Sequence, residues 1–244
     1  MVFAKSIALS TIKHNTFMKS KRILVLFLLA FYAIGCNSVK QNKRAVIGAG
    51  AGIVVGGALG GILGNKAGNT AGGILIGAAV GGVAGGVIGK YMAQQKHDLD
   101  KDLGTVAKVE RVGEGIQLKF DSGLLFAVNS DKLSPAAEMN LAKFSETLKK
   151  YPETYVLVDG HTDNTGADEY NQTLSVKRSE SVARFLQSKN VVRKRLGTRG
   201  LGETQSVADN STDAGKQQNR RVEVSIWANE KLKQDAQDGT LNQK

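Results

Sequence analysis

Residues 155–186 read YVLVDGHTDNTGADEYNQTLSVKRSESVARFL, and this stretch decides the fold of the C-terminal half of the chain. The apolar run YVLVDG at 155–160 predicts a short buried strand. The segment after it is rich in Gly, Asp, Asn and Thr and predicts a loop. From Asp168 to about Lys189 the apolar residues have the spacing of an amphipathic helix. A strand, a loop and a helix in this order predict a layered domain in which the helix covers a sheet.

One charged residue lies on the apolar face of this predicted helix. At about 100° per residue, Arg178 falls within the arc formed by Leu174, Val182, Phe185 and Leu186. A buried guanidinium without an anion is strongly unfavourable. Asp163 is a candidate partner because it lies in the loop at the end of the predicted strand. The two residues therefore either form an internal ion pair or hold a charged ligand between them.

The flanking sequence supplies further strands and one more helix. AKVERVGEGIQLKF at 107–120 alternates around two glycines and predicts a hairpin. Ser134 and Pro135 predict the start of a helix that ends near Lys150. RLGTRGLG at 195–202 and RRVEVSIWA at 220–228 predict two more strands. The pattern predicts an α+β, two-layer domain that spans residues 106–228, with helices on one face of a mixed sheet.

The N-terminal region has the pattern of an export signal. Residues 18–36 read MKSKRILVLFLLAFYAIGC, in which a basic cluster precedes an apolar run and a terminal Gly-Cys. This arrangement resembles a bacterial lipoprotein signal, so residues 1–35 are expected to be a signal peptide and Cys36 the lipid attachment site. An ordinary membrane anchor is the alternative, but a run of about 12 apolar residues is short for a span of about 20. Residues 1–17 fit no part of the signal, which favours Met18 as the start.

A glycine repeat follows the predicted linker at 36–45. Glycines recur at every fourth position from 48 to 72 and again from 73 to 89. Four-residue spacing returns to one helix face, and a glycine ridge allows two helices to approach closely. Residues 46–90 therefore predict a glycine-zipper helical hairpin that inserts into membrane lipid and can support a homo-oligomer. Residues 91–105 are interpreted as a polar connector and residues 229–244 as a disordered tail.

Composition excludes several classes of function. The chain of 244 residues carries a formal charge of +11, which suits a partner with anionic groups, but it has no basic stripe with interleaved aromatics that would indicate nucleic acid. His161, Asp163 and Ser175 lack a nucleophile elbow for hydrolysis. With 3 His and one Cys, no spacing matches a metal site. No enzyme activity, metal or cofactor is expected.

A family resemblance joins these observations. Residues 160–178 contain G-x-T-D-x-x-G followed by Y-N-x-x-L-S-x-x-R, residues 219–223 read NRRVE, and residues 126–137 read FAVNSDKLSPAA. This combination resembles the OmpA-like peptidoglycan-binding domain over about residues 106–228. A lipoprotein signal and a glycine-zipper hairpin ahead of that domain resemble a lipoprotein subgroup of the family.

The resemblance implies a binding function without covalent chemistry. It implies that the domain holds the diaminopimelate of the peptidoglycan stem peptide, with Asp163 on its ammonium and Arg178 on its carboxylate, and with hydrogen bonds from Asn129, Thr162 and Asn171. The expected protein is an outer-membrane lipoprotein with its C-terminal domain in the periplasm, tethering the envelope to the wall. The alternative is an oligomeric membrane-active or pore-forming protein that its wall-binding domain positions.

Overall fold

The computed structural model describes residues 83–127 and 129–243. The predicted signal peptide, Cys36 and most of the hairpin predicted for 46–90 lie outside these residues. Within the described part, no helix combines the length and the apolarity needed to cross a bilayer.

The helices and strands between residues 108 and 228 include those predicted from the sequence, in the predicted order. The elements are α1 (Val83–Leu103), β1 (Lys108–Val112), β2 (Gly115–Asp121), α2 (Ser122–Leu125), α3 (Pro135–Lys150), β3 (Thr154–Gly160), α4 (Asp168–Ser188), β4 (Leu196–Gly200), α5 (Asp213–Asn219), β5 (Arg221–Ala228) and α6 (Glu230–Gln237). Short 3₁₀ turns lie at Arg193–Arg195 and Thr240–Gln243. The start of α3 follows the predicted signal, because the Ser134 side chain accepts a hydrogen bond from the Ala137 N–H.

The five strands form one mixed sheet in the order β1-β2-β5-β3-β4. β3 and β4 are parallel, and the other neighbouring pairs are antiparallel. The crossover from β3 to β4 runs through α4, which is the usual way of joining parallel strands. The predicted α+β class with a mixed sheet is confirmed.

A single hydrophobic core lies between one face of the sheet and the helices. Alternate residues of the two central strands point into it, among them Val156 and Val158 from β3 and Val222, Val224 and Ile226 from β5. The helices α1, α3, α4 and α6 add apolar side chains to the same core. The two-layer arrangement predicted from the sequence therefore describes this domain.

The end of β3 lies unusually close to α4. A Cβ placed on Gly160 would lie 2.2 Å from the carbonyl oxygen of Ser175, so only glycine allows this approach. The close contact fixes the first half of α4 beside the loop that leaves β3. Both of these segments carry residues of the candidate site.

The interpretation of 91–105 as a connector is corrected by the structure. Residues 91–103 belong to α1, and Ile88, Met92, Leu99 and Leu103 are fully buried in the core. Successive positions in this set are four, seven and four residues apart, so they share one face of the helix. The segment looked like a connector because its other positions are polar and face solvent.

The tail predicted as disordered is also partly ordered and helical. Asn229 caps α6 by accepting a hydrogen bond from the Leu232 N–H at 2.8 Å. Leu232 and Ala236 lie four residues apart on the buried face of α6, which packs against α1 and β5. One helical turn of apolar contact is enough to fix this short segment, and a mainly polar composition concealed it.

The buried face of α1 makes a testable contribution to stability. We expect Leu99→Ala to lower the free energy of unfolding by about 2–5 kcal/mol, because Leu99 is fully buried and its truncation leaves a cavity. Chemical denaturation of the full chain measures the change. Lys101→Ala, at an exposed position of the same helix, should stay within about 0.5 kcal/mol of the wild type. Equal effects of the two substitutions would mean that α1 is only a linker.

Candidate ligand-binding site

A cavity of about 410 Å³ opens at the end of the sheet where β3 leads into its polar loop. Its walls come from four places: the β2–α2 junction, the loop before α3, the β3–α4 loop with the first half of α4, and the start of β5. The lining residues are Ser122, Gly123, Phe126, Ala127, Asn129, Thr162, Asp163, Thr165, Tyr170, Asn171, Leu174, Arg178 and Arg220. All five residues predicted to bind the ligand therefore line one cavity.

Asp163 is held in place by its backbone neighbours and by two hydrogen bonds. The Thr162 N–H donates to the Gly202 carbonyl at 2.9 Å, which anchors the loop. The carboxylate accepts from the Thr165 N–H at 2.9 Å and from Nη1 of Arg220 at 2.5 Å. Burial alone would raise the pKa of Asp163, but the hydrogen bonds from Arg220 and Thr165 outweigh it and lower the pKa. The cavity thus contains a fixed negative charge.

Arg178 supplies a buried positive charge on another wall of the cavity. The residue is 4% exposed, and its Nε donates to the Ser130 carbonyl at 3.0 Å. Its guanidinium carbon lies 5.3 Å from the centroid of the Phe126 ring, in cation–π range. Burial lowers the pKa of Arg178, which means that its charge is incompletely compensated. The inward orientation predicted from helix geometry is confirmed.

The sequence left open whether Asp163 is the internal partner of Arg178. Among the described residues, the ion pair of Asp163 is with Arg220, and no carboxylate lies within 4.0 Å of the Arg178 guanidinium nitrogens. The site therefore holds one paired carboxylate and one guanidinium that still lacks an anion. Such an arrangement can accept an anionic group at Arg178 without breaking an existing ion pair.

Polar groups without charge complete the cavity wall. The Asn171 amide donates to the Thr165 carbonyl at 3.1 Å and to the Glu203 carboxylate at 2.7 Å, which leaves the amide oxygen of Asn171 as the acceptor for a ligand. The Thr162 hydroxyl is buried and has no hydrogen-bond partner among the described residues. Asn129 has a φ of 53°, in the left-handed region that Asn tolerates better than most residues. Each predicted hydrogen-bonding residue thus has a polar side chain at the cavity.

Arg220 and Ser122 line the cavity but were not among the five predicted residues. Arg220 belongs to the NRRVE block, but the sequence does not tell which of its two arginines faces the site. The structure shows that Arg220 faces the cavity, where it pairs with Asp163, whereas Arg221 pairs with Glu223 at 2.7 Å. Neighbouring residues at a strand start point in opposite directions, which explains the division. The other is Ser122, whose buried hydroxyl also lacks a partner in the described part; no sequence signal marked it.

A metal site is not formed by the part of the chain that the structure describes. Residues 83–127 and 129–243 contain no group of three or more His, Cys, Asp or Glu side chains that could hold a metal ion. The charged groups at the cavity are instead one carboxylate and two guanidinium groups. This set suits an organic ligand that carries both an ammonium and a carboxylate.

Comparison with known proteins assigns the chain to a family. The OmpA family matches residues 125–220, and a family described as YMGG-like Gly-zipper matches residues 18–93. "Outer-membrane lipoprotein YfiB" of Pseudomonas aeruginosa is 39% identical over 115 residues, which cover 47% of this chain and 68% of that protein. "Probable lipoprotein YiaD" of Escherichia coli is 42% identical over 137 residues, or 56% of this chain and 63% of that protein. The chain belongs to the OmpA family.

A solved structure supports the fold alone. A MotB-like protein from Desulfovibrio vulgaris superimposes with a TM-score of 0.54 and 24% sequence identity, over 58% of this chain and 93% of that chain. The resemblance to the OmpA-like domain and to a lipoprotein subgroup with a glycine zipper, inferred from the motifs, is thereby confirmed at the level of family.

His161 lies two residues before Asp163, and its buried side chain predicts a pH dependence of stability. It is 2% exposed, and neither ring nitrogen has a hydrogen-bond partner among the described residues. Burial first, and then the positive charges of Arg221, Arg199 and Lys119, lower the pKa of His161 well below its ordinary value of 6.5. The imidazole is therefore neutral in the folded protein.

We expect this neutral histidine to reduce stability in mild acid. Below about pH 6.5 the unfolded chain binds a proton that the folded chain does not, so the free energy of unfolding falls by up to about 1.4 kcal/mol per pH unit. Carboxylates with lowered pKa values, such as Asp163, lose their contribution only below their ordinary value of 3.8, which separates the two effects. Chemical denaturation at several pH values between about 7 and 5 measures the slope.

The matched variants are His161→Gln and His97→Gln, since His97 is exposed on α1. His161→Gln should reduce the change in the free energy of unfolding with pH, whatever its effect on absolute stability. His97→Gln should leave that change as in the wild type. A wild-type slope in His161→Gln would show that another group causes it.

Proposed function

We propose that this protein is an outer-membrane lipoprotein that binds peptidoglycan non-covalently through diaminopimelate and tethers the envelope to the cell wall. The observation that carries the proposal is the cavity lined by a fixed carboxylate, Asp163, and by the buried guanidinium of Arg178, which has no carboxylate partner among the residues that the structure describes. The free end of a diaminopimelate side chain carries one ammonium and one carboxylate. Its two charges match the two walls of the cavity.

The contacts of each ligand group follow from the geometry of the walls. The ligand carboxylate would pair with Arg178, whose planar guanidinium can donate two parallel hydrogen bonds. The ligand ammonium would share Asp163 with Arg220 and donate to the amide oxygen of Asn171. Thr162 and Asn129 would add hydrogen bonds at the rim. No covalent step is needed, so the proposed protein is a binding protein and not an enzyme.

The location of the protein is inferred from its N-terminal sequence and its relatives. A lipoprotein signal ending at Cys36 would attach the chain to lipid, and two relatives bear the name lipoprotein, one of them of the outer membrane. We propose that the C-terminal domain faces the periplasm, where the wall lies. Because α1 belongs to the domain core, the distance that the tether can reach depends on residues before Val83 and not on a connector at 91–105.

Binding to diaminopimelate and to purified sacculi tests the proposed site. We expect Asp163→Asn and Arg178→Gln each to weaken diaminopimelate binding at least about tenfold, because each removes a buried, charge-assisted contact. Isothermal titration calorimetry measures the affinity, and a pull-down with sacculi measures attachment to the wall. Thermal unfolding of each variant establishes that it is folded.

The matched controls change the same charges at exposed positions next to the site. Asp168→Asn lies at the start of α4, and Lys177→Gln precedes Arg178 on the same helix. Both should bind as the wild type does. Wild-type binding by folded Asp163→Asn and Arg178→Gln proteins would contradict the assigned site, and a wild-type protein that binds neither diaminopimelate nor sacculi would contradict the function.

A further inference from the structure

A second cavity of about 600 Å³ adjoins the first, and the two share Arg220 in their walls. The second cavity, here called the basic groove, is lined by Lys108, Lys119, Phe120, Asp121, Val207, Ala214, Gln217, Gln218, Arg220 and Arg221. Four of these ten side chains are cationic and one is acidic. The groove therefore has the charge balance of a site for an anion, and Arg178 is not among its lining residues.

The cationic groups of the groove differ in how completely ion pairs and hydrogen bonds compensate their charge. Arg221 is fully engaged, because it pairs with Glu223 and donates to the carbonyls of Asn219 and Gln205. Lys108 lies 2.8 Å from Glu110. The Lys119 ammonium lies 3.9 Å from the same carboxylate, too far for a hydrogen bond, and it donates no side-chain hydrogen bond among the described residues. Lys119 is thus the least satisfied cation of the groove.

The single acid of the groove does not neutralise this charge. Asp121 accepts from the Gly123 N–H at 2.7 Å and from the Gln217 amide at 3.1 Å, and it caps the short helix α2. Its carboxylate is therefore committed to neutral donors and not to Lys119. Gln217 and Gln218 lie on the exposed side of α5 and add amide groups that can donate to an anion.

We propose that the basic groove, through Lys119 and Arg220, is a second subsite for a further carboxylate of the same stem peptide, carried by a residue that adjoins the diaminopimelate. The proposal rests on the proposed function, because it requires the zwitterionic end of the ligand to occupy the first cavity. Arg220 then pairs with Asp163 on one side and with the further carboxylate on the other. The subsite makes the protein sensitive to whether that neighbouring carboxylate is free or amidated.

Four ligands distinguish the sources of such a carboxylate: diaminopimelate alone, γ-D-glutamyl-diaminopimelate, the same dipeptide with its glutamyl carboxylate amidated, and diaminopimelyl-D-alanine. We expect at least one dipeptide with a free neighbouring carboxylate to bind about three- to tenfold more tightly than the amidated dipeptide, with a preference that falls as salt is raised. A preference for the glutamyl or for the alanyl dipeptide identifies the side from which the carboxylate enters. Equal affinity of all three dipeptides would overturn the proposal.

Lys119→Gln tests the residue assigned to the subsite. Lys119 does not line the first cavity, so this variant should bind diaminopimelate alone as the wild type does and should lose the preference for a free carboxylate. Lys194→Gln removes the same charge at an exposed position that lines neither cavity and should keep the preference. A preference that survives Lys119→Gln refutes the subsite while leaving the proposed function intact, whereas absence of diaminopimelate binding in the wild type refutes both.

Discussion

The guanidinium of Arg178 imposes the strongest constraint on this domain. Transferring a charged group from water to a position that is 4% exposed is costly unless hydrogen bonds and an opposite charge compensate it. The protein supplies only part of this compensation, through the Ser130 carbonyl and the face of the Phe126 ring. The surrounding structure must hold the unmet charge next to a cavity that a ligand can enter. The close approach of β3 to α4 at Gly160 does this, because it fixes the helix turn that bears Arg178 beside the loop that bears Asp163.

The state of Asp163 determines what kind of ligand this site favours. An unpaired carboxylate opposite an unpaired guanidinium would attract any small ion, and the two side chains would tend to collapse onto each other. The pairing of Asp163 with Arg220 prevents this by keeping the carboxylate occupied on one side. A ligand ammonium would then share the carboxylate with Arg220, which is partly exposed, while a ligand carboxylate would meet Arg178 without competition. A ligand of the proposed kind, which offers both charges at once, would therefore satisfy both walls, whereas a ligand with a single charge would satisfy only one.

The sequence predicted the centre of the domain well because the signals there are local. Periodicity identified β3 and α4 and put Arg178 on the buried face, and Ser134 marked the start of α3 by capping chemistry that needs only adjacent residues. The flanking helices were missed because they are stable only through tertiary contacts. In α6 a single buried pair, Leu232 and Ala236, fixes a segment whose other residues are polar, and in α1 the buried positions are diluted by charged ones. The pairing of Asp163 with Arg220 was out of reach for a different reason, because it joins residues 57 positions apart and depends on the direction in which β5 begins.

The burial of α1 also limits what the glycine-zipper segment can do. The zipper family matches residues 18–93, so its end overlaps the first turns of α1, where Val87 packs against the core and Ile88 is fully buried in it. Residues in that core cannot face lipid at the same time. The stretch predicted as a hairpin therefore overlaps the domain core at its C-terminal end, because Val87 and Ile88 belong to α1 and pack into that core.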